Sequence, residues 1–293
     1  MKTKPILSIC IPVFNRKKKI LELLKSIDSP ENLEIVIFDD GSTDGIEKKI
    51  KSKNFKFKLK FYKTTNRGRS SALADAIIMS SGSFVIIMDS DDYFLPGGID
   101  QIKKTILQYK NIYCFLFGVK IKKKNFFYKK IPPNNLKANL LKLRADYKIR
   151  GDMKEVVKSE VIKKCIYKKS YVYRRTPTSL IWECISRKLE CLTISKCIAV
   201  KEYDNLGMTA SISNIKYDNS VPMLDLYERY SNSKLYSSRL FRIKSKIQFY
   251  RYSFISKSKK KMKLFDIFFI ISGFFLYFFD YLKYQVKKNY SKC

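Results

Sequence analysis

Apolar and polar residues alternate in blocks along the first 120 residues, in the manner of short strands followed by helices. Apolar runs bounded by turn residues predict strands, and apolar residues at helical spacing predict amphipathic helices. The predicted strands and helices, in turn, are residues 7–14, 17–27, 33–40, 43–53, 57–64, 70–81 and 85–88. This β-α-β-α series predicts an α/β fold, with a mostly parallel central sheet flanked by helices.

The pattern continues less regularly beyond residue 96, and no internal repeat is visible. The later predicted elements are a helix that ends near residue 110, a strand at 112–121, and helices at 151–164 and 177–192.

Polar side chains follow several predicted strands at the point where each strand ends. Asn15 follows the first strand, Asp39 and Asp40 end the second, and Asp89, Asp91 and Asp92 follow the stretch VIIM. In parallel sheets, ligands bind beyond the carboxyl ends of the strands, so these groups are expected to converge on one edge. Clustered carboxylates repel one another, which favours either a cation site or a turn that water solvates.

Composition narrows the possible chemistry. The 60 basic residues against 26 acidic ones favour a polyanionic partner, which is a nucleic acid, an anionic membrane or a phosphate-bearing substrate. The chain contains no His, which excludes Ser-His and Cys-His catalysis and leaves Asp or Glu as the expected general base. The seven Cys include no C-x-x-C pair and are expected to be small buried thiols in a reducing compartment. The N-terminus resembles no signal peptide, which predicts a cytoplasmic location.

The C-terminal part differs from the rest of the chain. Residues 239–263 contain ten basic residues and no acidic one, and the apolar segment 264–282 follows. Its uncharged stretch, 267–279, has 13 residues, whereas a spanning helix needs about 20. We therefore expect residues 239–293 to bind an anionic membrane surface through a helix that lies in the interface. The alternative is a buried helix that docks on the domain.

Three motifs carry a family resemblance: ICIPVFNR, VIFDDGSTDG, and TNRGRSSALADAIIMSSGSFVIIMDSDD. In order and spacing they resemble the family 2 glycosyltransferases, which have the GT-A fold, over residues 6 to about 100. The resemblance implies an inverting, metal-dependent transfer of a sugar. The donor is a UDP-linked nucleotide-sugar, and the acceptor is an envelope glycan or a lipid-linked molecule. The resemblance divides the chain into a donor-binding half at 1–120, an acceptor-binding half at 121–235 and a membrane-associating tail at 236–293.

The resemblance also implies roles for residues in the donor half. Asp40 matches the acceptor of a hydrogen bond from the uracil N–H. The donor contacts that it implies are Pro12, Phe14, Asn15, Asp40, Asn66, Arg67, Gly68 and Asp89. Leu73 stands where many members have an Arg near the diphosphate, and Arg67, Arg69 or the metal is expected to replace it.

Asp89 and Asp91 match the D-x-D motif of the family. The resemblance implies that Asp91 holds Mg²⁺ or Mn²⁺ on the donor phosphates, and that Asp89 fixes the ribose or a water on the metal. Asp92 is expected to orient the other two carboxylates.

The base is expected at the start of a downstream helix, where PTSLIWEC offers Glu183 beside Trp182, a possible surface for sugar stacking. Glu155 and Asp152 are the alternatives.

Two other classes of function remain open at this point. One is a catalytically degenerate GT-A protein that acts as a binding protein or scaffold at the membrane. The other is a nucleic-acid-binding protein, which the charge favours. The chain has no recognised nucleic-acid motif, and its basic residues concentrate beside an apolar segment, so we expect no nucleic-acid partner.

Overall fold

A ten-stranded sheet forms the centre of the protein. The structure is a computed structural model that describes residues 4–123, 126–149, 151–202, 212–258 and 264–290. Its strands are β1 Leu7–Val13, β2 Leu33–Asp39, β3 Lys58–Lys63, β4 Phe84–Ile87, β5 Tyr93–Phe94, β6 Cys114–Lys123, β7 Phe126–Lys130, β8 Lys137–Ala138, β9 Lys154–Lys158 and β10 Cys191–Glu202.

The strand order is β3-β2-β1-β4-β9-β6-β10-β5, with β7 paired to β6 and β8 paired to β10. Strands β3, β2, β1 and β4 are mutually parallel, and β10 runs parallel to β6. Only β9 and the shorter strands run the other way. The predicted mostly parallel sheet is confirmed, and the carboxyl ends of its parallel strands share one edge.

Helices cover both faces of this sheet. The helices are α1 Lys17–Lys25, α2 Ile46–Lys51, α3 Arg69–Met79, α4 Gly98–Gln108, α5 Leu140–Ala145, α6 Ser159–Lys164, α7 Ser179–Ser186, α8 Ile212–Asp218, α9 Ser220–Asn232, α10 Arg239–Ile255 and α11 Ile267–Tyr290. Apolar residues of α1, α2 and α4 form one core with the sheet, and those of α3, α5, α6 and α7 form another. The flanking helices predicted from sequence are therefore confirmed.

The predicted helix at 151–164 is wrong in its first half, where the chain forms β9. Val156 and Val157 point to opposite faces of the sheet, and each is buried in a different core. Successive side chains are about 100° apart around a helix, whereas in a strand they point to opposite faces. Pairing with β4 and β6 on both sides thus outweighs the apparent helical spacing.

The predicted helix at 177–192 is shorter in the structure, because it ends at Ser186 and residue 191 begins β10. A disulfide joins Cys184 of α7 to Cys165, which follows α6, with the two Cα atoms 5.4 Å apart. The expectation that every cysteine is a reduced thiol is wrong for this pair.

The C-terminal extension is helical, as predicted, and α10 and α11 pack against each other; we call this pair of consecutive helices the C-terminal hairpin. A Cβ at Gly273 would lie 2.8 Å from the backbone nitrogen of Arg251, so glycine permits the close approach of the two helices. Arg251 holds Asp280 with two hydrogen bonds of 2.6 and 2.7 Å. Asp266 accepts hydrogen bonds from Lys246 and Tyr250 at 2.5 and 2.8 Å. The two acidic residues that flank the apolar segment are thus paired within the hairpin.

Candidate active site

A cleft of about 990 Å³ opens at the carboxyl ends of the parallel strands. It therefore lies at the edge where the sequence places its polar groups. Its lining residues are Pro12, Val13, Phe14, Asn15, Arg16, Asp40, Asn66, Gly68, Arg69, Ala72, Asp89, Ser90, Asp91, Val172, Tyr173, Arg174, Arg175, Lys201, Glu202, Ile215, Asp218 and Asn219. Every donor contact predicted from sequence lines this cleft except Arg67.

One wall of the cleft comes from the end of β1. Phe14 is 44 % exposed, so it presents its ring to the cleft instead of serving as a core aromatic residue. Asn15 adopts a positive φ of 49° and accepts a hydrogen bond of 2.9 Å from the Thr43 backbone N–H. Its own backbone N–H donates to the Ser42 hydroxyl at 2.8 Å. These bonds fasten the end of β1 to the turn after β2 and hold this wall in place.

The adjacent carboxylates Asp39 and Asp40 have different surroundings. Asp39 is buried and accepts hydrogen bonds from the backbone and hydroxyl of Ser42, so it builds the turn. Asp40 lines the cleft and accepts hydrogen bonds from the backbone N–H groups of Arg67 and Gly68. A carboxylate has about four acceptor positions, so Asp40 retains capacity for a ligand N–H. Burial raises the pKa of Asp40, and the two backbone donors oppose that rise.

The loop of Asn66, Arg67 and Gly68 approaches a second loop closely. Gly68 has a φ of 101°, and a Cβ there would collide with the backbone of Arg174. The Asn66 side chain accepts a hydrogen bond from the Arg174 guanidinium. The Arg67 guanidinium instead pairs with Asp75 at 2.6 Å, outside the cleft. Arg67 thus contributes its backbone N–H to Asp40, while its guanidinium is held by Asp75.

Asp89 lies between two cations in the floor of the cleft. Its carboxylate pairs with the Arg69 guanidinium and, at 3.3 Å, with the Lys201 ammonium. Burial alone would raise the pKa of Asp89, but Arg69, Lys201 and Lys154 outweigh burial and hold the pKa well below its usual range. Asp89 is therefore ionised and positions two cations that face the cleft.

Asp91 differs from its neighbours in the same motif. Its side chain is half-exposed and lines the cleft, and no described residue forms a hydrogen bond or ion pair with its carboxylate. Asp92 is buried and pairs with Lys154 at 2.6 Å, and burial raises its pKa. The backbone N–H of Asp92 donates to the Asp89 carbonyl at 3.1 Å, which closes the turn.

The donor set fits a divalent cation that takes most of its ligands from elsewhere. The described residues contain no group of three or more His, Cys, Asp or Glu side chains arranged to hold a metal. Mg²⁺ and similar hard cations are often bound by one or two carboxylates, with substrate phosphates and waters completing the coordination. An open carboxylate at Asp91, directed into a cleft rich in cations, meets that requirement.

Several basic residues of the cleft were missed from sequence. Leu73 is buried in the core, so its position offers nothing to a diphosphate. Arg69, which sequence analysis named as a replacement, lines the cleft, and Arg174, Arg175 and Lys201 join it there. Lys201 lies near the carboxyl end of β10, so the strand-end rule that found Asp40 would also have found it. Arg174 and Arg175 lie in an irregular loop, where no sequence pattern indicates that they line the cleft.

A second pocket of about 420 Å³ adjoins the cleft and shares Arg69, Asp89, Arg175 and Lys201 with it. The two alternative bases both line this pocket. The Asp152 side chain is 44 % exposed and lies 4.0 Å from the Lys201 ammonium. Glu155 is nearly buried and pairs with Arg144 at 3.1 Å, and burial raises its pKa. Trp182 also lines this pocket.

Glu183, the residue predicted as the base, lies outside both pockets. Its side chain is fully buried and pairs with Arg187 at 2.5 Å and Arg229 at 3.2 Å. Helix α7 begins at Ser179 with Thr178 as its N-cap, and its first turn has no acidic residue. Glu183 is one turn further along, on the face that packs inward. The resemblance places an acidic residue at the start of this helix, whereas the chain has two hydroxyl residues there, Thr178 and Ser179.

Comparison with known proteins agrees with this geometry. The model of the family described as "Glycosyl transferase family 2" matches residues 8–167. A glucosyltransferase of Campylobacter jejuni, named for the acceptor GalNAc(5)-diNAcBac-PP-undecaprenol, is 29% identical over 120 residues, which are 39% of this chain and 38% of the relative.

Two solved structures share the fold. TarS of S. aureus (residues 1–349) in complex with UDP-GlcNAc superposes with a TM-score of 0.65 at 18% identity, over 91% of this chain and 79% of that one. The mannosyltransferase PcManGT of Pyrobaculum calidifontis, in complex with GDP-Man and Mn²⁺, gives 0.54 at 14% identity, over 94% and 81%. These are GT-A type transferases, so the predicted fold class is confirmed.

The chain spans less than half the length of the first curated relatives it matches. The family model, however, covers more than half of this chain and includes β1–β4 with all the cleft residues that they carry. By this match, the chain is a member of glycosyl transferase family 2.

Proposed function

We propose that the protein is an inverting, metal-dependent glycosyltransferase, which moves a sugar from a UDP-linked donor to an envelope glycan or lipid-linked acceptor. The observation that carries the proposal is the cleft itself. It combines an aromatic wall at Phe14, the Asp40 carboxylate, which faces the nucleobase of the donor, and an open carboxylate at Asp91. The neighbour TarS, whose structure contains UDP-GlcNAc, supports a uridine donor.

Some residues of the cleft bind the uridine of the donor, and others bind its diphosphate. Phe14 packs against the uracil ring, and Asp40 accepts a hydrogen bond from the uracil N–H. A carboxylate suits this role because charge-assisted hydrogen bonds are roughly twice as strong as neutral ones. Asp91 would hold Mg²⁺ or Mn²⁺, which when bound neutralises negative charge on the leaving diphosphate. Arg69 and Lys201 face the same charge, and Asp89 positions both of them.

We assign the general base to Asp152. Lys201 contacts both Asp152 and Asp89, so Asp152 lies where the second pocket meets the donor cleft. The acceptor hydroxyl attacks the anomeric carbon on the face opposite the diphosphate, and Asp152 accepts its proton. The bond from the sugar to the diphosphate breaks in the same step, so the configuration at the carbon inverts and UDP remains in the cleft.

The test is nucleotide release by the full chain with a panel of UDP-sugars, Mg²⁺ or Mn²⁺, and membrane glycolipid as acceptor. One donor is expected to give UDP at a rate that requires both metal and acceptor, with an inverted linkage in the product by NMR. Absence of both UDP binding and UDP release for every donor would contradict the proposal.

A second candidate function is a catalytically degenerate binding protein that keeps the donor site. The hydroxyl residues at the start of α7, together with the sealed position of Glu183, favour this candidate. It predicts that UDP binds but that no donor and acceptor pair yields product.

We also propose that the C-terminal hairpin binds an anionic membrane surface from the cytoplasmic side. Among the described residues, one helix segment, Ile267–Tyr284, is long and apolar enough to cross a membrane. Its large side chains form an exposed stripe on α11. The stripe consists of Phe268, Ile271, Phe275, Phe278, Phe279 and Leu282. Since the opposite side of α11 packs on α10, and the acidic residues are paired there, the arrangement favours a hairpin that lies in the interface over a single spanning helix.

The membrane proposal is tested with point variants, because removal of α10 would strip its contact with α9, where Tyr227 stacks on Tyr252 at 5.6 Å. Phe275 and Phe279 are each 58 % exposed, so their joint replacement by Ser should leave the fold intact. The unmodified protein is expected to float with anionic liposomes and the double variant to remain largely in solution. Equal flotation of the two proteins would contradict the proposal.

A further inference from the structure

One lysine is buried behind the turn that carries Asp91. Lys154 is the first residue of β9, its side chain is 7 % exposed, and its ammonium group lies 2.6 Å from the Asp92 carboxylate. Lysine is almost never fully buried in a protein unless it is paired. The burial of Lys154 therefore calls for a role, and the proposed reaction assigns it none.

The pairing of β9 with β4 brings Lys154 to the end of β4. Ile86 lies opposite Val156, so Lys154, two residues earlier in β9, is level with residue 88, just beyond the last residue of β4. Its ammonium group also lies 3.5 Å from the Ile87 carbonyl oxygen. An antiparallel strand beside β4 thus delivers a cation to the turn that follows β4.

The Asp92 carboxylate depends on this lysine. Its side chain is fully buried, and Lys154 donates to one of its oxygens, while the other, Oδ1, has no hydrogen-bond partner among the described residues. A buried charge without a partner is strongly destabilising, so the pair with Lys154 fixes where the Asp92 side chain lies. Because the Asp92 backbone N–H donates to the Asp89 carbonyl at 3.1 Å, this constraint extends across the turn.

Asp91 has no such anchor of its own. Its carboxylate faces the cleft, and no described residue forms a hydrogen bond or ion pair with it. Groups that bind a metal are usually held in place by partners behind them. For Asp91, the ion pair between the adjacent Asp92 and Lys154 supplies that support.

The charge of Lys154 by itself would act against a bound metal. Its positive charge helps to hold the pKa of Asp89 low, so it is felt at the cleft end of the same turn. Like charges repel, and this lysine would therefore weaken the binding of a cation there if charge were its only contribution. Repulsion and positioning thus make opposite predictions for the loss of Lys154.

From this arrangement we propose that Lys154 is a positioning residue of the metal site, and that its ion pair with Asp92 holds the turn in the conformation in which Asp91 binds the metal. The inference rests on the proposed function, since it concerns the metal that this function assigns to Asp91. It adds to the site a residue from β9, in a segment for which the sequence predicted a helix.

The test uses a variant that removes the ion pair without changing the net charge. Lys154→Met alone would leave the Asp92 carboxylate buried without its cation, which destabilises a fold strongly. The variant is therefore Lys154→Met/Asp92→Asn, which removes one positive and one negative charge together. Its matched control is Lys60→Met/Glu34→Gln, which removes a buried carboxylate and its lysine, 2.8 Å apart, near the amino ends of the strands.

The measured quantity is the factor by which Mn²⁺ tightens UDP binding to the full chain, obtained by calorimetry with Mn²⁺ and after chelation. Loss of an outer-shell partner costs about 10–100-fold in metal affinity, so this factor is expected to fall roughly tenfold or more in Lys154→Met/Asp92→Asn. UDP affinity after chelation should be unchanged, because Phe14 and Asp40 are untouched. The control double variant should keep the factor of the unmodified protein.

Hydrogen exchange, measured without metal or UDP, tests the positioning by itself. The amide of residue 92 bonds to the Asp89 carbonyl, and its protection is expected to fall in Lys154→Met/Asp92→Asn, after correction for the intrinsic rate of each sequence. In the control double variant this amide should remain as protected as in the unmodified protein. A thermal melt establishes that each variant is folded.

The same Mn²⁺ effect on UDP binding in Lys154→Met/Asp92→Asn and in the unmodified protein would overturn the proposal. An equal loss in the control variant would also overturn it, since the effect would then be a general loosening of the sheet. Failure of the proposed function gives a different result, because Mn²⁺ would then leave UDP binding unaltered in the unmodified protein. Hydrogen exchange would still report whether Lys154 holds the turn.

Discussion

Glu34 and Asp91 lie at opposite ends of the parallel strands, and their surroundings differ. Glu34, near the start of β2, has a fully buried side chain that accepts hydrogen bonds from Ser8, Ser81 and Lys60 at 2.6–2.8 Å. Burial alone would raise its pKa, but these donors lower the pKa to about 2. Glu34 thus fastens the amino ends of the strands, and its acceptor positions are occupied by the protein.

Asp91, beyond the end of β4, has the opposite character. Its carboxylate faces the cleft, with no ion-pair or hydrogen-bond partner among the described residues. An acidic group that the fold satisfies contributes to stability, whereas one that the fold leaves open is available to a ligand. Whether the fold satisfies a carboxylate thus distinguishes structural acids from ligand-binding ones. Composition and proximity to a strand end do not make that distinction.

Asp91→Asn should have the largest effect on activity and a small one on stability. The loss of a direct metal ligand is expected to exceed the roughly 10–100-fold that loss of an outer-shell partner costs. UDP release and a thermal melt, measured on the variant and on Glu34→Gln, test the contrast. Near-normal turnover of Asp91→Asn in the presence of a chelator would break it.

Asp152→Asn should reduce the rate of transfer by about 10²–10⁴-fold while UDP affinity is unchanged, because general bases contribute on that scale. Glu183→Gln is the matched control, since Glu183 is a buried acid that the fold satisfies through two arginines. Its rate should stay within about tenfold of normal, although its melting temperature should fall. A larger loss of rate in Glu183→Gln than in Asp152→Asn would indicate that Glu183 of α7 is the base.

Asp40→Ala should weaken UDP binding by roughly 1.5–3 kcal/mol, the usual worth of a hydrogen bond to a charged group. Asp39→Asn is the control, because Asp39 lies beside it but builds the turn and does not line the cleft. Calorimetry with UDP, below the melting temperature of both variants, measures the difference. Equal affinities would make Asp40 a structural residue like Glu34.

Glu34→Gln should affect stability alone, by about 1–3 kcal/mol, since it removes the charge that Lys60 and its neighbours satisfy. Because the folded pKa of about 2 lies below the ordinary value of 4.5, the stabilisation is present above that value and is lost as pH falls through the window between them. Melting temperatures across this window should therefore fall more steeply for the unmodified protein than for the variant. Parallel curves would contradict this role.

Sequence alone predicted the parallel half of the sheet, because β1, β2 and β4 are largely apolar strands that are buried along their whole length, and β3 alternates as an edge strand does. It also placed Asp40, Asp89 and Asp91 at one edge, which follows from strand direction. It failed where pairing between distant segments decides, as in β9, which forms a strand because it pairs with β4 and β6.

The site was predicted less completely than the fold. Sequence identified Asp91 as an acid after a strand, but not that it is open while Asp92 is paired, because that depends on Lys154 from β9. Nor could sequence indicate that Glu183 is buried against two arginines, because one of them, Arg229, comes from the distant helix α9.

The role of Asp91 as the metal ligand of the donor site is tested most directly by calorimetric UDP binding to the full chain, with Mn²⁺ and after chelation, in the unmodified protein and in Asp91→Asn. UDP binding to the unmodified protein is expected to weaken on chelation, whereas Asp91→Asn is expected to bind UDP weakly whether or not the metal is chelated. UDP affinity that is the same in all four measurements would contradict a metal held by Asp91, and no detectable UDP binding to the unmodified protein would contradict the donor site itself.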